Sequence, residues 1–215
     1  MIILSEKLNY KIIGSGSSGN SVLIGNVLMD CGLPFQRIKP YLKHVDYLII
    51  THIHTDHLKL STYNRIRKLY PRIITIGNWQ VSQEVPIDIV ANATVPIETE
   101  DYTFLPIEVP HDVLTYGYFW TSDDGNVLYC TDTYDTTSLA DGIGKHKIDY
   151  LFLESNHDEK KIEPIRNNSR QRYGYDAYSG AKRHLSTQQA KLFYYLHRRS
   201  KDSVWVELHK SSRFY

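Results

Sequence analysis

The segment LIITHIHTDHLKL, residues 48–60, constrains this chain more than any other feature. YLIIT, 47–51, is an apolar, β-branched run of strand length and reads as a buried strand. Where it stops, four groups able to bind a metal, His52, His54, Asp56 and His57, fall within six positions. Alternate side chains of an extended segment point the same way, so His52, His54 and Asp56 are expected to converge while His57 turns to an adjacent direction. That geometry suits two metal centres rather than one. Imidazole and carboxylate donors without a thiolate are consistent with zinc, with manganese or iron tolerated.

Around this segment the chain alternates strand and helix signals. YKIIG, SVLIG and VLMDCG are short β-type runs, the last two separated by Gly25 and Asn26, a hairpin signal. PFQRIKPYLK is a short helix with Pro34 suited to its first position. STYNRIRKLY has helical spacing and is ended by Pro71, after which RIITIG returns to strand. IDIV, YTFLPIEV, YGYFW, NVLYCTD, YLFLES and SVWVEL are further strands. A helix is expected over 187–199, with Ser186 and Gln189 in a capping-box arrangement and Leu192, Tyr195 and Leu196 on one face. Residues 156–184 are irregular, polar and rich in Arg, Lys and Tyr. They read either as a solvated connection or as a wall offering cations and aromatic faces to an anionic substrate. No repeat or long linker interrupts the pattern, so one domain spanning 1–215 is expected.

The net charge is +1 and the sequence pI about 7.8. Without a broad basic field, a phosphate-bearing partner must be held by local groups. Cys31 and Cys130 sit in apolar runs as small buried hydrophobes, which favours a reducing, cytoplasmic setting. MIILSEKLNYKII lacks the pattern of a secretory leader, and no stretch approaches the roughly 20 apolar residues of a membrane span. A soluble protein with no membrane partner is expected.

THIHTDHL resembles the His-x-His-x-Asp-His motif of the metallo-β-lactamase-fold hydrolases. The resemblance implies an α/β fold, the αββα sandwich, with a dinuclear metal site completed from later strand ends. His111 in IEVPHD, Asp132 in LYCTDT and His209 in WVELHKSS occur in the expected order, each after an apolar run. The implied ligands are His52, His54 and His111 on one ion, Asp56, His57 and His209 on the other, and Asp132 between them. The ions implied are divalent, zinc first and manganese as the alternative. IIGSGSSGNSVLIG, FLESNHD and RHLSTQQA are similar to the WalRK-operon-associated (YycJ/WalJ-like) subgroup, which includes phage relatives of anti-Pycsar type proposed to destroy cyclic-nucleotide immune signals. The glycines and serines of 14–21 need no ligand role, because small residues permit a tight turn beneath the metal loop.

Two divalent ions suit an in-line displacement at phosphorus, so phosphodiester hydrolysis is the expected reaction. A leaving oxygen needs an acid; His184 and His157 are the candidates, and Asp56 is a further catalytic candidate. Asn156, Arg183 and Ser186 are candidate substrate-binding residues, the last at a helix N-terminus able to receive a phosphate. Asp30 and Asn156 are candidates to orient ligand imidazoles. The leading expectation is a compact phosphodiesterase opening 3′,5′-cyclic nucleotides, phage-encoded and acting in the host cytoplasm. The segment 173–178 could stack a base. A DNA or RNA exonuclease resembling transfer-RNA-processing relatives is the runner-up, and a thioesterase or lactonase the third reading. The stretch between Asp132 and His209 is too short for the inserted domain of β-CASP nucleases. The six residues after His209 are fewer than in many relatives, which raises the expectation of a homodimer closing the pocket.

Overall fold

The computed structural model describes residues 8–215; the leader reading of residues 1–7 lies outside the described residues. Two six-stranded sheets are stacked face to face. The first contains β1 (Tyr10–Gly14), β2 (Ser21–Ile24), β3 (Val27–Met29), β4 (Tyr47–Ile50), β5 (Ile74–Gly77) and β6 (Ile89–Val90), in that spatial order. The second runs in space from β12 (Val204–Leu208) through β11 (Tyr150–Glu154), β10 (Gly125–Cys130), β9 (Thr115–Ser122) and β8 (Thr103–Val109) to β7 (Ile97–Glu98). Gly25 and Asn26 form the tight antiparallel turn joining β2 to β3, with Gly25 at φ 58°.

Period-two alternation explains how fully apolar strands serve two layers at once. In β4, Tyr47 and Ile49 enter the core between the sheets, whereas Leu48 and Ile50 pack outward with Ile38, Tyr63 and Ile66. In β10, Val127 and Tyr129 face inward, while Leu128 and Cys130 join Leu139 and Phe193 outside. Tyr47 meets Phe104 edge-on across the sandwich at 5.6 Å. Each such fully buried side chain contributes roughly 1.5–3 kcal/mol of transfer free energy. Helices α1 (Phe35–Ile38), α2 (Leu60–Leu69) and α3 (Trp79–Glu84) cover the first sheet. Helices α4 (Thr137–Ile143) and α8 (Thr187–His197) cover the second, which completes the expected αββα layering.

Three expectations need correction. The 156–184 segment is not one loop: α5 (Glu159–Ile162), α6 (Ser169–Tyr173) and α7 (Ala177–Ala181) fold around Ile162, Ile165 and Phe214. The helix α8 has its capping box, but it buries Ala190 and Phe193, and the Leu192, Tyr195 and Leu196 face is solvent-exposed. The chain after β4 is not extended: His57 N and Leu58 N both donate to the His54 carbonyl, so a turn replaces simple alternation. Among the described residues, no helix is long and apolar enough to cross a membrane.

Parallel pairing of β3 with β4 in one sheet, and of β10 with β11 and β11 with β12 in the other, points the carboxyl ends of each set the same way. Two antiparallel steps from β10 through β9 give β8 that direction too. The residues that follow these strands therefore collect at one rim of the sandwich.

A candidate metal centre at the strand ends

Asp30 follows β3, the His52–His57 turn follows β4, and His111, Asp132 and His209 follow β8, β10 and β12. The seven predicted ligands form three interlocked groups: His52, His54 and His111; Asp56, His57 and His209; and His52, His57 and Asp132. Within each group the ligand atoms lie within 4.8 Å of one another. Nε2 of His52 is 3.1 Å from Nδ1 of His54, which is 3.4 Å from Nε2 of His111. Asp132 Oδ2 lies between the groups, 2.6 Å from His57 Nε2 and 3.4 Å from His52 Nε2. Cys130 belongs to the outer core and takes no part.

Three of the residues that turn inward here have left-handed backbones: Asp30 (φ 61°), Asp132 (φ 56°) and His209 (φ 51°). Such a conformation is uncommon outside glycine and re-aims the side chain at a strand's end. Polar contacts hold it in place. Ser15 Oγ accepts from His209 N at 2.7 Å, and Asn156 Nδ2 donates to the His209 carbonyl at 2.9 Å. Asn20 N donates to Asp56 O at 2.6 Å, and its side-chain nitrogen is 2.8 Å from His57 Nε2. The SGSSGN turn thus braces the His52–His57 turn from below.

The electrostatics favour a cation at the centre. Burial opposes a proton on His57, yet Asp132 and Asp30 on its two sides outweigh this and hold its pKa well above the usual value. Burial, joined by His57, keeps His52 well below its usual value, so it is a neutral donor. Burial would raise Asp132, but His209 and His57 hold it well below the carboxylate range. Asp56 is lowered against burial by the neighbouring His209 and His57 imidazoles. Asp132 Oδ1 and His209 Nε2 are buried and make no well-formed hydrogen bond: Nδ1 of His184 and Nδ1 of His209 each stand 3.3 Å from the first, and Asp56 Oδ2 stands 3.9 Å from the second. Unpaired buried acceptors beside carboxylates are what a divalent cation satisfies, and the nitrogen and oxygen donor set fits such an ion.

Glu154, which the sequence reading missed, stands at the end of β11 and is wholly buried. Oε1 accepts from Thr133 N at 2.7 Å and Leu185 N at 3.1 Å, and Oε2 lies 3.0 Å from His184 Nδ1. His184 Nδ1 is also 3.3 Å from Asp132 Oδ1. Although burial disfavours its charge, the adjoining Asp132 and Glu154 carboxylates raise the His184 pKa to about 10. Two sequence signals pointed to Glu154: an acid closing the otherwise apolar run YLFLE, and its place in the subgroup-like motif FLESNHD.

His184, Arg183 and Asn156 line a cavity of about 590 Å³ that reaches His209 at the centre. Its walls also carry Lys210, Arg213 and Tyr175, and no carboxylate. The residues after His209 form part of this wall, with Ser211 N donating to the Asn156 carbonyl at 2.8 Å.

Two candidates stand apart. His157 is buried and joins none of the ligand groups, neither ring nitrogen has a hydrogen-bond partner, and burial with Lys182 pushes its pKa down to about 4. Ser186 is fully buried; its hydroxyl caps Gln189 N and donates to Glu159 Oε1 at 2.7 Å. The amides expected to receive a phosphate are also engaged, Thr187 N donating to the His157 carbonyl at 2.8 Å and Gln189 N to Ser186 Oγ at 3.1 Å, and Ser186 does not line the cavity.

The family model described as the Beta-lactamase superfamily domain matches residues 25–197. The exodeoxyribonuclease YycJ of Bacillus anthracis is 26% identical over 174 residues, 72% of this chain and 65% of the relative. The exodeoxyribonuclease WalJ of Streptococcus pneumoniae serotype 2 is 26% identical over 185 residues, 74% of this chain and 65% of the relative. The matched stretch thus spans just under two thirds of the length of these curated relatives. Two solved structures share the fold at 17% identity: the metallo-β-lactamase fold protein YhfI from Bacillus subtilis and the short form of human tRNase Z. The first has a TM-score of 0.67 over 94% of this chain and 85% of its own. The second has a TM-score of 0.65 over 95% and 93%. With the family model running from the β2–β3 turn to the end of α8 and the sandwich carrying its polar cluster at the strand ends, the chain belongs to the metallo-β-lactamase superfamily.

Proposed function

We propose that this protein is a metal-dependent phosphodiesterase acting on nucleotide phosphodiesters. The observation that carries the reading is the contact between the His/Asp cluster and a cavity lined by three cations and no carboxylate. His52, His54 and His111 would hold one divalent ion, Asp56, His57 and His209 a second, and Asp132 would lie between them. Zinc suits these donors best, with manganese as the alternative. Ions bound there would supply Lewis acidity at the phosphoryl oxygens and acidify water.

The remaining work falls to the chain. His184 faces the cavity with its Nδ1 held by Glu154 and Asp132, which leaves Nε2 as the proton donor for the leaving oxygen. Its raised pKa keeps that proton available at neutral pH. Arg183 and Asn156 are offered to the substrate from the same wall. Asp30 fixes the His57 ring through Nδ1 and frees Nε2 to face the centre.

Small 3′,5′-cyclic nucleotides fit a cavity of this size, which lies within the roughly 300–1,000 Å³ of ligand pockets. A phage protein that removes a host's cyclic-nucleotide signal in the cytoplasm is the setting this substrate implies. A strand end is the second reading, favoured by the relatives named exodeoxyribonucleases. Metal-loaded protein incubated with cAMP, cGMP, cCMP and cUMP beside single-stranded DNA and RNA tests both. Release of nucleoside monophosphates is expected; turnover of ester substrates alone would overturn the proposal.

A further inference from the structure

Among the described residues, Arg213 is the cation of the cavity wall without a carboxylate partner. Arg183 lies 3.6 Å from Asp112 and Lys210 lies 3.4 Å from Glu207. Arg213 Nη1 donates to the Tyr175 hydroxyl at 2.8 Å, and its guanidinium sits 5.0 Å from the Tyr173 ring centroid. Most of its five N–H donors are unengaged among the described residues. The aromatic contacts fix the plane of the group while leaving its fork free, the arrangement in which arginine binds phosphate.

The same cavity is lined by Ser17 and Ser18, the central residues of a turn closed by Gly19 N to Gly16 O at 2.9 Å. Both are exposed, and their backbone N–H groups have no hydrogen-bond partner among the described residues. Gly16 N is held by the Asn20 side chain and Ser15 by His209, so the turn is anchored to the strand-end cluster. Successive free amides on a glycine-flanked turn make a concavity suited to an anion. Ser17 lies two residues beyond Ser15, and Arg213 four beyond His209. Both are therefore within about 14 Å of the centre along the chain, a distance a nucleotide can bridge.

We propose that Arg213 and the Ser17–Ser18 amides form a second anion subsite, separate from the reacting phosphoryl position, which takes another phosphate of the same substrate. The inference rests on the phosphodiesterase reading and, within it, favours substrates with two phosphates about one nucleoside apart over the cyclic mononucleotides, which carry one. The second phosphate is either the terminal phosphate of a linear strand end or the other phosphodiester of a cyclic dinucleotide.

Calorimetric titration of metal-free protein with the thymidine dinucleotides pTpT and TpT, and with a cyclic dinucleotide, reads the subsite without turnover. At least one doubly phosphorylated ligand is expected to bind about tenfold or more tighter than TpT, as a charge-assisted contact implies. Arg213→Gln should remove that advantage and leave TpT unchanged. Ser17→Pro, which suits the second position of such a turn and deletes one amide, should reduce it. A preference for pTpT assigns the subsite to strand ends, and a preference for the ring assigns it to cyclic dinucleotides. Equal binding of all three ligands, or equal losses for TpT and the doubly phosphorylated ligand in Arg213→Gln, overturns the subsite. Turnover by the metal-loaded protein is scored apart: an Arg213-dependent preference without hydrolysis keeps the subsite and removes the phosphodiesterase, and hydrolysis without the preference does the reverse.

Discussion

Nδ1 of His57 lies 2.8 Å from Oδ2 of Asp30, and neither side chain is exposed to solvent. Asp30 Oδ1 in turn accepts from Thr51 N at 2.8 Å, so the carboxylate ties the end of β4 to the ring of the last histidine in the turn. An asparagine in its place keeps an acceptor for Thr51 but removes the charge behind His57. Asp30→Asn is therefore expected to weaken metal affinity by about 10–100-fold. Competition against a chromogenic chelator measures this, and unchanged affinity would show that Asp30 serves only the fold.

Glu154 acts on the proposed chemistry through His184. The carboxylate raises the pKa of that imidazole, and a proton donor works only while protonated. The activity should therefore be lost on the alkaline side as His184 deprotonates. In Glu154→Gln the folded pKa falls, so the alkaline limb of kcat is expected to move to lower pH by about one unit or more. A uniform loss of rate with the limb unmoved would mean that Glu154 only supports Thr133 and Leu185.

The difference between what could and could not be read beforehand follows from distance along the chain. β4 and β10 were legible because both faces are buried, which leaves an unbroken apolar run. The α8 start was legible because Ser186 and Gln189 act three residues apart. Asp132 and His209 were placed by motif, but no local signal announces their positive φ, which depends on contacts such as that between Ser15 and His209. Glu154 and His184 lie thirty residues apart and meet only when β11 and the loop before α8 are assembled. The exposed Leu192, Tyr195 and Leu196 misled because an apolar stripe has the right period whether or not anything covers it.

Gly32 tests the support of the turn directly. A Cβ built there would lie 1.7 Å from the Asp56 carbonyl oxygen, a backbone atom that cannot swing aside. Gly32→Ala should push the His54–His57 turn away from Asn20 and cost about 3 kcal/mol or more. For a chain of this length that lowers the melting temperature by roughly 6–12 °C. A melting temperature within a degree of the parent would mean that the 30–33 and 54–57 segments are not packed as described.

Metal should reverse the pH dependence of stability. Without it, His57 has a folded pKa well above its ordinary 6.5, and His184 one of about 10. Groups raised on folding contribute their full stability below the unfolded value and lose it as pH rises toward the folded value. Metal-free protein should therefore grow less stable from pH 6.5 upward, by up to about 1.4 kcal/mol per unit for each group. Asp132, lowered on folding, adds no slope in this window because it is ionised in both states. With metal bound, His57 contributes as a neutral ligand, and protons compete with the ion, so affinity and stability rise with pH. Melting temperatures at pH 6.5, 7.5 and 8.5, with chelator and with zinc, should diverge: falling in the first series, rising or level in the second. Parallel falls in both series would place the ion elsewhere than at His57.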